Sequence, residues 1–321
     1  MKAFAYVTAQ SPESAVDHVR DHGRFIAGGI DLLGEMKENI VAPELLVNVK
    51  NLPGTREITP ASDKWVIGAN VTLAELTDHA ELAKVFPGLA EAALEVGSPQ
   101  MRNVATVGGN LAQHSRCWYY RHRDVQCLKK GGKRCFAQGG MNKYHVLFTG
   151  STCLSPCVSN LAVALTALDA SVVVQTEKKV EVWPVAKLYE SAWSSAKVHH
   201  SLAPTDLILR IEVPVSAGGR STYLQMAEKS AFDWALVSCA AAGRLDGGKL
   251  RGVRVALGAV ASIPWQVKEA NAWLEGKEPT AANVATAADL ILRTAEPLEH
   301  NAYKLPLAKA LIHRALARLT A

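Results

Sequence analysis

The sequence has 321 residues, 49% of them hydrophobic and 20% charged, which is typical of a soluble globular protein with two or three domains. Its formal net charge of +5 is small for this length and does not by itself indicate binding to nucleic acid or to an anionic membrane. No apolar run reaches the roughly 18 residues of a membrane-spanning helix, and the N-terminus lacks the apolar core of a signal peptide, so we expect a cytoplasmic protein.

The first 55 residues alternate between strand and helix signals. Short apolar runs predict three strands, at 4–7, 24–27 and 45–49. Between the first two, Ser11 or Ser14 is placed to cap a helix that ends near Val19. Between the last two, Asp31 opens a helix with an apolar face. This β–α–β–α–β order predicts a small unit of alternating strands and helices.

The rest of the chain divides at a Pro- and Gly-containing segment, 214–219, which indicates a linker. Before it, the pattern predicts strands at 65–67, 171–175, 179–183 and 207–213 and helices at 72–76, 87–96 and 159–170. After it, the pattern predicts strands at 221–228, 235–242 and 253–260 and helices at 266–274, 281–293 and 305–319. The turn Asp246-Gly247-Gly248 predicts that the last two strands form an antiparallel hairpin.

Two glycine-containing turns stand where a strand leads into a helix. Gly28 and Gly29 form the first, and Gly108 and Gly109 form the second. Glycine lets another group approach the backbone closely, and a helix N-terminus offers unpaired N–H groups, so both turns are compatible with phosphate binding. Either turn alone is also compatible with an ordinary tight turn. Neither has the G-x-G-x-x-G spacing of a nicotinamide-type dinucleotide fold.

Five of the six cysteines lie between residues 117 and 157. Such a cluster in a long chain without secretion signals favours metal or redox chemistry over a disulfide framework. The spacing lacks the paired C-x-x-C motifs of most zinc sites, whereas iron–sulfur clusters accept varied spacings. Spacing alone therefore leaves open an iron–sulfur cluster, a zinc site or unliganded cysteines. The sixth, Cys239, lies in an apolar strand and is predicted to be a buried thiol.

The segment between His114 and Arg134 is strongly basic. It carries nine basic or histidine side chains and a single acid, Asp124. Nearby cations stabilise the negative charge of a thiolate-ligated cluster. Trp118 and its neighbours could instead stack on bases, which leaves a nucleic-acid-binding module as another hypothesis. No Ser–His–Asp or paired-carboxylate arrangement indicates hydrolysis, and we assign no catalytic residue.

The chain resembles the FAD-binding medium subunit of the molybdenum hydroxylases, a family that includes xanthine dehydrogenase, carbon monoxide dehydrogenase, aldehyde oxidoreductases and 4-hydroxybenzoyl-CoA reductase. The resemblance covers nearly the whole length. It depends on the motifs FIAGGIDLL (25–33), GSPQMRNVATVGGNLAQ (97–113), KSAFDWALVSCAA (229–241) and VRVALGAVASIPW (253–265).

In that family the two glycine turns bind the flavin pyrophosphate. The resemblance therefore implies a set of FAD-binding residues: Ala27, Gly28, Gly29, Ile30, Asp31 and Leu32 in the first turn, Thr106, Gly108, Gly109 and Asn110 in the second, and Ser159 beyond them. Ile30 replaces the usual threonine, so one hydroxyl contact should be missing. Asn160 replaces the aspartate that usually follows the serine.

A minority of family members carry a four-cysteine insertion after the second glycine turn, which binds a 4Fe–4S cluster. The segment 114–157 resembles that insertion. The resemblance implies four ligands, Cys117, Cys127, Cys135 and Cys153. Cys157 falls where relatives have no cysteine.

The fold implied is α+β. It consists of an FAD-binding region of two subdomains (1–55 and 56–215, the latter containing the insertion 114–157) and a C-terminal domain (220–321) with a three-stranded antiparallel sheet and helices.

The resemblance also implies an electron-transfer subunit of a heterotrimer or dimer of heterotrimers. A large partner would hold molybdenum and a small one 2Fe–2S clusters, and electrons would pass between them and an external acceptor such as NAD. The alternative is a flavoprotein whose cysteine loop binds zinc and only docks a partner. Neither reading requires nucleic acid or a membrane.

Overall fold

A small parallel sheet forms the N-terminal part of the computed structural model, which describes residues 1–20, 22–216 and 219–320. Its elements are β1 (Ala5–Thr8), α1 (Pro12–Val19), β2 (Gly23–Ile26), α2 (Leu32–Lys37) and β3 (Leu45–Asn48). The strand order is β1-β3-β2, and both pairs are parallel. Ser11 begins α1 with a capping box in which Ser14 is the reciprocal partner. The predicted β–α–β–α–β order is confirmed.

A five-stranded antiparallel sheet with its helices forms the middle of the chain. The elements before the cysteine-rich segment are β4 (Ile58–Pro60), β5 (Lys64–Gly68), α3 (Leu73–Asp78), α4 (Ala80–Val85), α5 (Pro87–Leu94), α6 (Pro99–Arg102) and α7 (Val107–Leu111). Those within and after it are α8 (Trp118–Arg121), α9 (Asn160–Ala167), β6 (Ser171–Gln175), β7 (Val180–Pro184), α10 (Glu190–Ser194) and β8 (Leu207–Pro214). The sheet order is β4-β5-β8-β6-β7. The sequence pattern missed β4, α4, α6, α7, α8 and α10, which are too short to show a period.

The C-terminal part is an antiparallel sheet covered by helices. Its elements are β9 (Arg220–Met226), β10 (Val237–Asp246), β11 (Lys249–Gly258), α11 (Lys268–Leu274), α12 (Ala281–Leu292) and α13 (Lys304–Thr320), with strand order β11-β10-β9. The predicted α+β class, three-stranded sheet and hairpin are confirmed, and Cys239 is buried in β10 as expected. Both hairpin strands reach closer to the turn than predicted, because polar residues near it still pair through their backbones.

The predicted linker includes Ala217 and Gly218, which lie outside the described residues. No described helix, α13 included, is long and apolar enough to cross a membrane.

The insertion, residues 114–157, packs against the C-terminal part of the chain. The backbone N–H groups of Leu147 and Phe148 both donate to the Val260 carbonyl, at 2.7 and 3.1 Å. The Phe148 ring stacks on Trp265 with 3.9 Å between ring centroids. Cys157 donates its backbone N–H to the Ala261 carbonyl at 2.7 Å. Contacts with distant residues therefore hold a segment that has little regular secondary structure.

Gly88 marks a close approach between the middle and C-terminal parts. A Cβ at this position of α5 would lie 2.7 Å from the backbone nitrogen of Thr222 in β9. We expect Gly88→Ala to lower the free energy of unfolding by about 1–3 kcal/mol, because the overpacked helix must move off the sheet. Chemical denaturation measures this change. Gly34→Ala in α2 is the control, because no other part of the described chain comes within 4 Å of its added Cβ. An equal loss there would contradict the packing argument.

Candidate functional site

A cleft of about 460 Å³ opens where the N-terminal and middle parts of the chain meet. Its volume is in the range of small-molecule and cofactor sites. Nine of the eleven residues that the sequence assigned to FAD line this cleft: Ala27, Gly28, Gly29, Ile30, Asp31, Leu32, Thr106, Gly109 and Asn110. The two glycine turns, about 80 residues apart in the chain, therefore face one space, as the sequence predicted.

The first glycine turn presents free backbone donors to the cleft. The N–H groups of residues 28–31 find no acceptor among the described residues. Gly29 has a φ of +72°, a conformation that favours glycine. A Cβ on Gly28 would lie 2.1 Å from the Val104 carbonyl oxygen, so this glycine lets the first turn pack against the second. The turn therefore has both the donors and the close approach that a phosphate requires.

The second glycine turn is built differently. The N–H groups of Val107 and Gly108 donate to the carbonyls of Val71 and Ala69, at 2.9 and 2.8 Å. The N–H of Gly109 donates to the Thr106 hydroxyl at 3.1 Å. These three donors of α7 are therefore already paired, and this turn offers the cleft its Thr106 hydroxyl and the bare surface of Gly109. Gly108 lies behind the cleft, where its added Cβ would meet the Ala69 side chain at 2.9 Å.

Ser159 is buried behind the second turn and does not line the cleft. Its hydroxyl donates to the Asn110 side-chain oxygen at 2.7 Å and also accepts from the Ala162 N–H at 3.1 Å. Ser159 therefore caps α9 and fixes the orientation of Asn110. Asn160, the other atypical position, is buried and donates towards the Ala92 carbonyl, at 3.4 Å.

Asp31 ties the first glycine turn to the start of the insertion. Its carboxylate accepts from the Arg116 and Arg121 guanidinium groups at 2.8 and 2.6 Å. It also accepts from the backbone N–H of His114 at 2.6 Å. The Arg116 guanidinium lies 4.8 Å from the centre of the Trp234 ring, which also lines the cleft. Residues from three parts of the chain thus meet at one edge of the cleft.

Glu35 connects the cleft to the interior of the insertion. This carboxylate is only 1% exposed, yet it lines the cleft. It accepts from the Tyr120 hydroxyl at 2.7 Å and lies 3.0 Å from His114 Nδ1. Burial raises its pKa, but the hydrogen bonds and charges of His114, Tyr120 and Arg121 outweigh burial and leave the pKa lowered. Glu35 therefore stays ionised at neutral pH.

Two further histidines cover the same region. The ring of His199 stacks on that of His114 with 4.0 Å between centroids, and both line the cleft. Burial lowers the pKa of His200 to about 3, so this cleft-lining imidazole is neutral. The sequence analysis missed Glu35, His199 and His200. The signal for Glu35 was an acid next to Met36 in a short amphipathic helix, and the signal for His199 and His200 was a pair of adjacent histidines. Neither pattern is specific for a binding site.

The four cysteines predicted as ligands line one small cavity inside the insertion. Cys117, Cys127, Cys135 and Cys153 all contribute to it, with Tyr120, Lys129 and His145. Cys157 lies outside it and packs against the core of the middle sheet. All six cysteines are free thiols. The structure therefore brings together four residues that are separated by up to 36 positions in the sequence.

The surroundings of these thiols affect their protonation. Burial raises the pKa of Cys117 to about 12, although the backbone N–H groups of Tyr120 and Tyr119 partly offset this effect. Burial likewise raises the pKa of Cys153, which Lys129 and the Ser155 N–H oppose. A bound cation would displace these protons, so metal binding would be linked to proton release. Among the described residues, no three His, Cys, Asp or Glu side chains are placed to hold a single metal ion.

Two family models together cover almost the whole chain. The "FAD binding domain in molybdopterin dehydrogenase" matches residues 2–216, and the "CO dehydrogenase flavoprotein C-terminal domain" matches residues 221–319. The chain is 34% identical to the aldehyde oxidoreductase FAD-binding subunit PaoB of Escherichia coli, with 100% of this chain and 99% of the relative covered. It is 25% identical to the carbon monoxide dehydrogenase medium chain of Hydrogenophaga pseudoflava, with 98% and 96% covered.

Solved structures agree with these similarities. A carbon monoxide dehydrogenase from Hydrogenophaga pseudoflava matches with a TM-score of 0.78 and 25% identity over 98% of this chain and 96% of the other. Quinoline 2-oxidoreductase from Pseudomonas putida 86 matches with a TM-score of 0.77 and 24% identity, over 99% and 98% of the two chains, and shows the same fold.

Proposed function

Because the chain belongs to the FAD-binding subunits of the molybdenum hydroxylase family of oxidoreductases, we propose that it is a redox subunit that holds FAD and a 4Fe–4S cluster side by side. The observation that carries this proposal is the pair of neighbouring sites: a cleft with free backbone donors and a cavity lined by four cysteines. The flavin binds in the cleft, with its pyrophosphate between the two glycine turns. The cluster is held by Cys117, Cys127, Cys135 and Cys153.

Each group of residues has a distinct task in this proposal. The N–H groups of residues 28–31 and the Thr106 hydroxyl hold the pyrophosphate, and Gly109 leaves room for it. Asn110, oriented by Ser159, and Leu32 complete the lining. Bound FAD supplies one- and two-electron redox chemistry, and the protein supplies binding, orientation and electrostatics. We assign no residue of this chain to substrate oxidation.

Tyr120 offers a short connection between the two sites. Its ring lines the cysteine cavity, and its hydroxyl donates to Glu35, which lines the cleft. Two side chains joined by one hydrogen bond therefore connect the two spaces. We infer that electrons pass between the cluster and the flavin along this connection.

The remaining parts of the proposal concern the partner chains, the location and the domain boundaries. The name "medium chain" of the carbon monoxide dehydrogenase relative indicates companion chains of other sizes. For this chain we propose a large molybdenum partner and a small 2Fe–2S partner, in a heterotrimer or a dimer of heterotrimers in the cytoplasm, with NAD or another external acceptor. We also propose the division into 1–55, 56–215 and 220–321; the ranges matched by the two family models support the boundary between the second and third units.

Flavin and metal analysis of the anaerobically purified chain tests the proposal. We expect one FAD and about four irons per chain, together with flavin bands and a broad iron–sulfur absorbance. About one zinc and no iron would support the alternative, in which the cysteine loop only docks a partner. A chain that purifies with iron but binds no FAD would contradict the assignment of the cleft.

A further inference from the structure

His145 stands out among the residues around the cysteine cavity. It is only 2% exposed, and its ring lines the cavity. Its Nε2 lies 3.2 Å from the sulfur of Cys117. Its other ring nitrogen, Nδ1, is buried and makes no well-aligned hydrogen bond among the described residues, although the Asn142 backbone interacts with the ring and opposes the effect of burial on the pKa of His145. Buried polar atoms normally have partners, so a histidine retained here with one weakly paired nitrogen calls for an explanation.

Which of the two groups donates the hydrogen bond, Cys117 or His145, depends on whether the sulfur is protonated. A free thiol can donate its hydrogen to an unprotonated Nε2. A thiolate that binds a metal has no hydrogen, so the contact can persist only if Nε2 carries the proton and donates it. In that state the sulfur accepts from Nε2–H, and the backbone N–H groups of Tyr119 and Tyr120 also favour its negative charge.

The position of His145 is fixed from outside the insertion. The Lys304 ammonium, at the start of α13, donates to the His145 carbonyl at 2.9 Å and to the Ala259 carbonyl at 2.9 Å. The Asn301 side-chain amide donates to the same His145 carbonyl at 3.1 Å and to the Val146 carbonyl at 2.8 Å. Lys304 and Asn301 are both completely buried. The C-terminal part of the chain therefore fixes the backbone at His145 and limits the movement of its ring.

We propose that His145 is a positioning residue that donates a hydrogen bond from Nε2 to the Cys117 thiolate and raises the reduction potential of the 4Fe–4S cluster. The inference rests on the cluster assignment made above. Reduction adds negative charge to the cluster and its sulfur ligands, so a donor to a ligand sulfur stabilises the reduced state more than the oxidised state. The C-terminal part of the chain, which supplies no proposed ligand, thereby influences the driving force for electron transfer.

The test is a redox titration of the cluster in the full chain, with electron paramagnetic resonance as the readout of the reduced cluster. We expect His145→Leu to retain about four irons and to shift the equilibrium towards the oxidised cluster roughly tenfold, which is about 59 mV for one electron. His145→Gln, whose amide can donate from a similar position, should recover most of the shift. His122→Leu is the matched control, because His122 is exposed on the same insertion, and it should leave the potential unchanged.

Labelling the histidines of the wild-type chain with ¹⁵N gives a second readout that needs no variant. Pulsed electron paramagnetic resonance on the reduced cluster should detect a weak coupling between the cluster's electron spin and a histidine nitrogen, and His145→Gln should remove it. A strong coupling would make His145 an iron ligand and overturn the proposal, as would the absence of any coupling. An unchanged potential in an iron-loaded His145→Leu chain would also overturn it. A wild-type chain without iron would instead remove the cluster assignment itself, and this inference with it.

Discussion

Cys153→Ala should purify with its flavin but without the iron, whereas Cys157→Ala should retain both. The two cysteines are separated by only three residues, but the structure separates their surroundings. Cys153 lines the cavity that Cys117, Cys127 and Cys135 share. Removing one of four thiolates leaves a cluster one ligand short, and we expect iron to fall from about four per chain to below one. Iron analysis and the absorbance of the anaerobic protein measure this loss.

Cys157→Ala is the matched control for that loss. Cys157 is held by its backbone, which donates to Ala261 and accepts from Ala259 at 2.7 and 3.3 Å, and its side chain packs against the middle core. Its replacement by alanine leaves those backbone bonds intact and costs about 1 kcal/mol of packing. The assignment would be wrong if Cys157→Ala lost the iron while Cys153→Ala kept it.

Gly109→Val should abolish flavin binding while leaving the fold and the iron in place. Gly109 is exposed in the cleft, and apart from its chain neighbours and its own helix backbone, the described residues bring only the Thr106 hydroxyl within 4 Å of an added Cβ, at 2.9 Å. A branched side chain would therefore project into the space assigned to the pyrophosphate. We expect the affinity for FAD to fall by a factor of at least about one hundred, which is roughly 2.7 kcal/mol. Fluorescence titration of the flavin-free protein with FAD measures the affinity.

The matched control for this substitution is Gly34→Ala. Gly34 lies in α2 just beyond the first glycine turn, has open space around it and does not line the cleft. Alanine there should leave FAD affinity unchanged. A Gly109→Val chain that keeps full affinity would remove the second turn from the site. Circular dichroism of both variants shows whether any loss comes from unfolding.

The sequence predicted best what depends on short segments. The two glycine turns show in local residue types, the set of four cysteines came from the family resemblance, and the structure places each set around one space. The hairpin at Gly247 and Gly248 was predictable for the same reason, because both residues have the positive φ that favours glycine. For the turns and the hairpin, the residues that signal the feature lie in the same stretch of chain as the feature itself, so local residue types were sufficient.

The sequence could not predict features that depend on distant contacts. Nothing near Glu35 indicates that His114 and Tyr120 will bury and stabilise its charge. The pairing of the α7 donors with Ala69 and Val71 depends on a strand and a turn about 40 residues earlier. A glycine turn before a helix therefore indicated two similar phosphate sites, whereas the donors that remain free lie only in the first turn.

The ion pairs of Asp31 bear on how the cleft can accept an anion. A lone carboxylate in the first glycine turn would repel a pyrophosphate group. Here that carboxylate meets two guanidinium groups, those of Arg116 and Arg121, at 2.8 and 2.6 Å, and Arg121 also lies 3.6 Å from the Glu35 carboxylate, so the two acids and the two arginines together carry no net charge. Both arginines belong to the same insertion that supplies the cysteines. Some basic residues of that segment therefore lie near the thiols, whereas these two arginines neutralise the carboxylates that an incoming dinucleotide would otherwise meet.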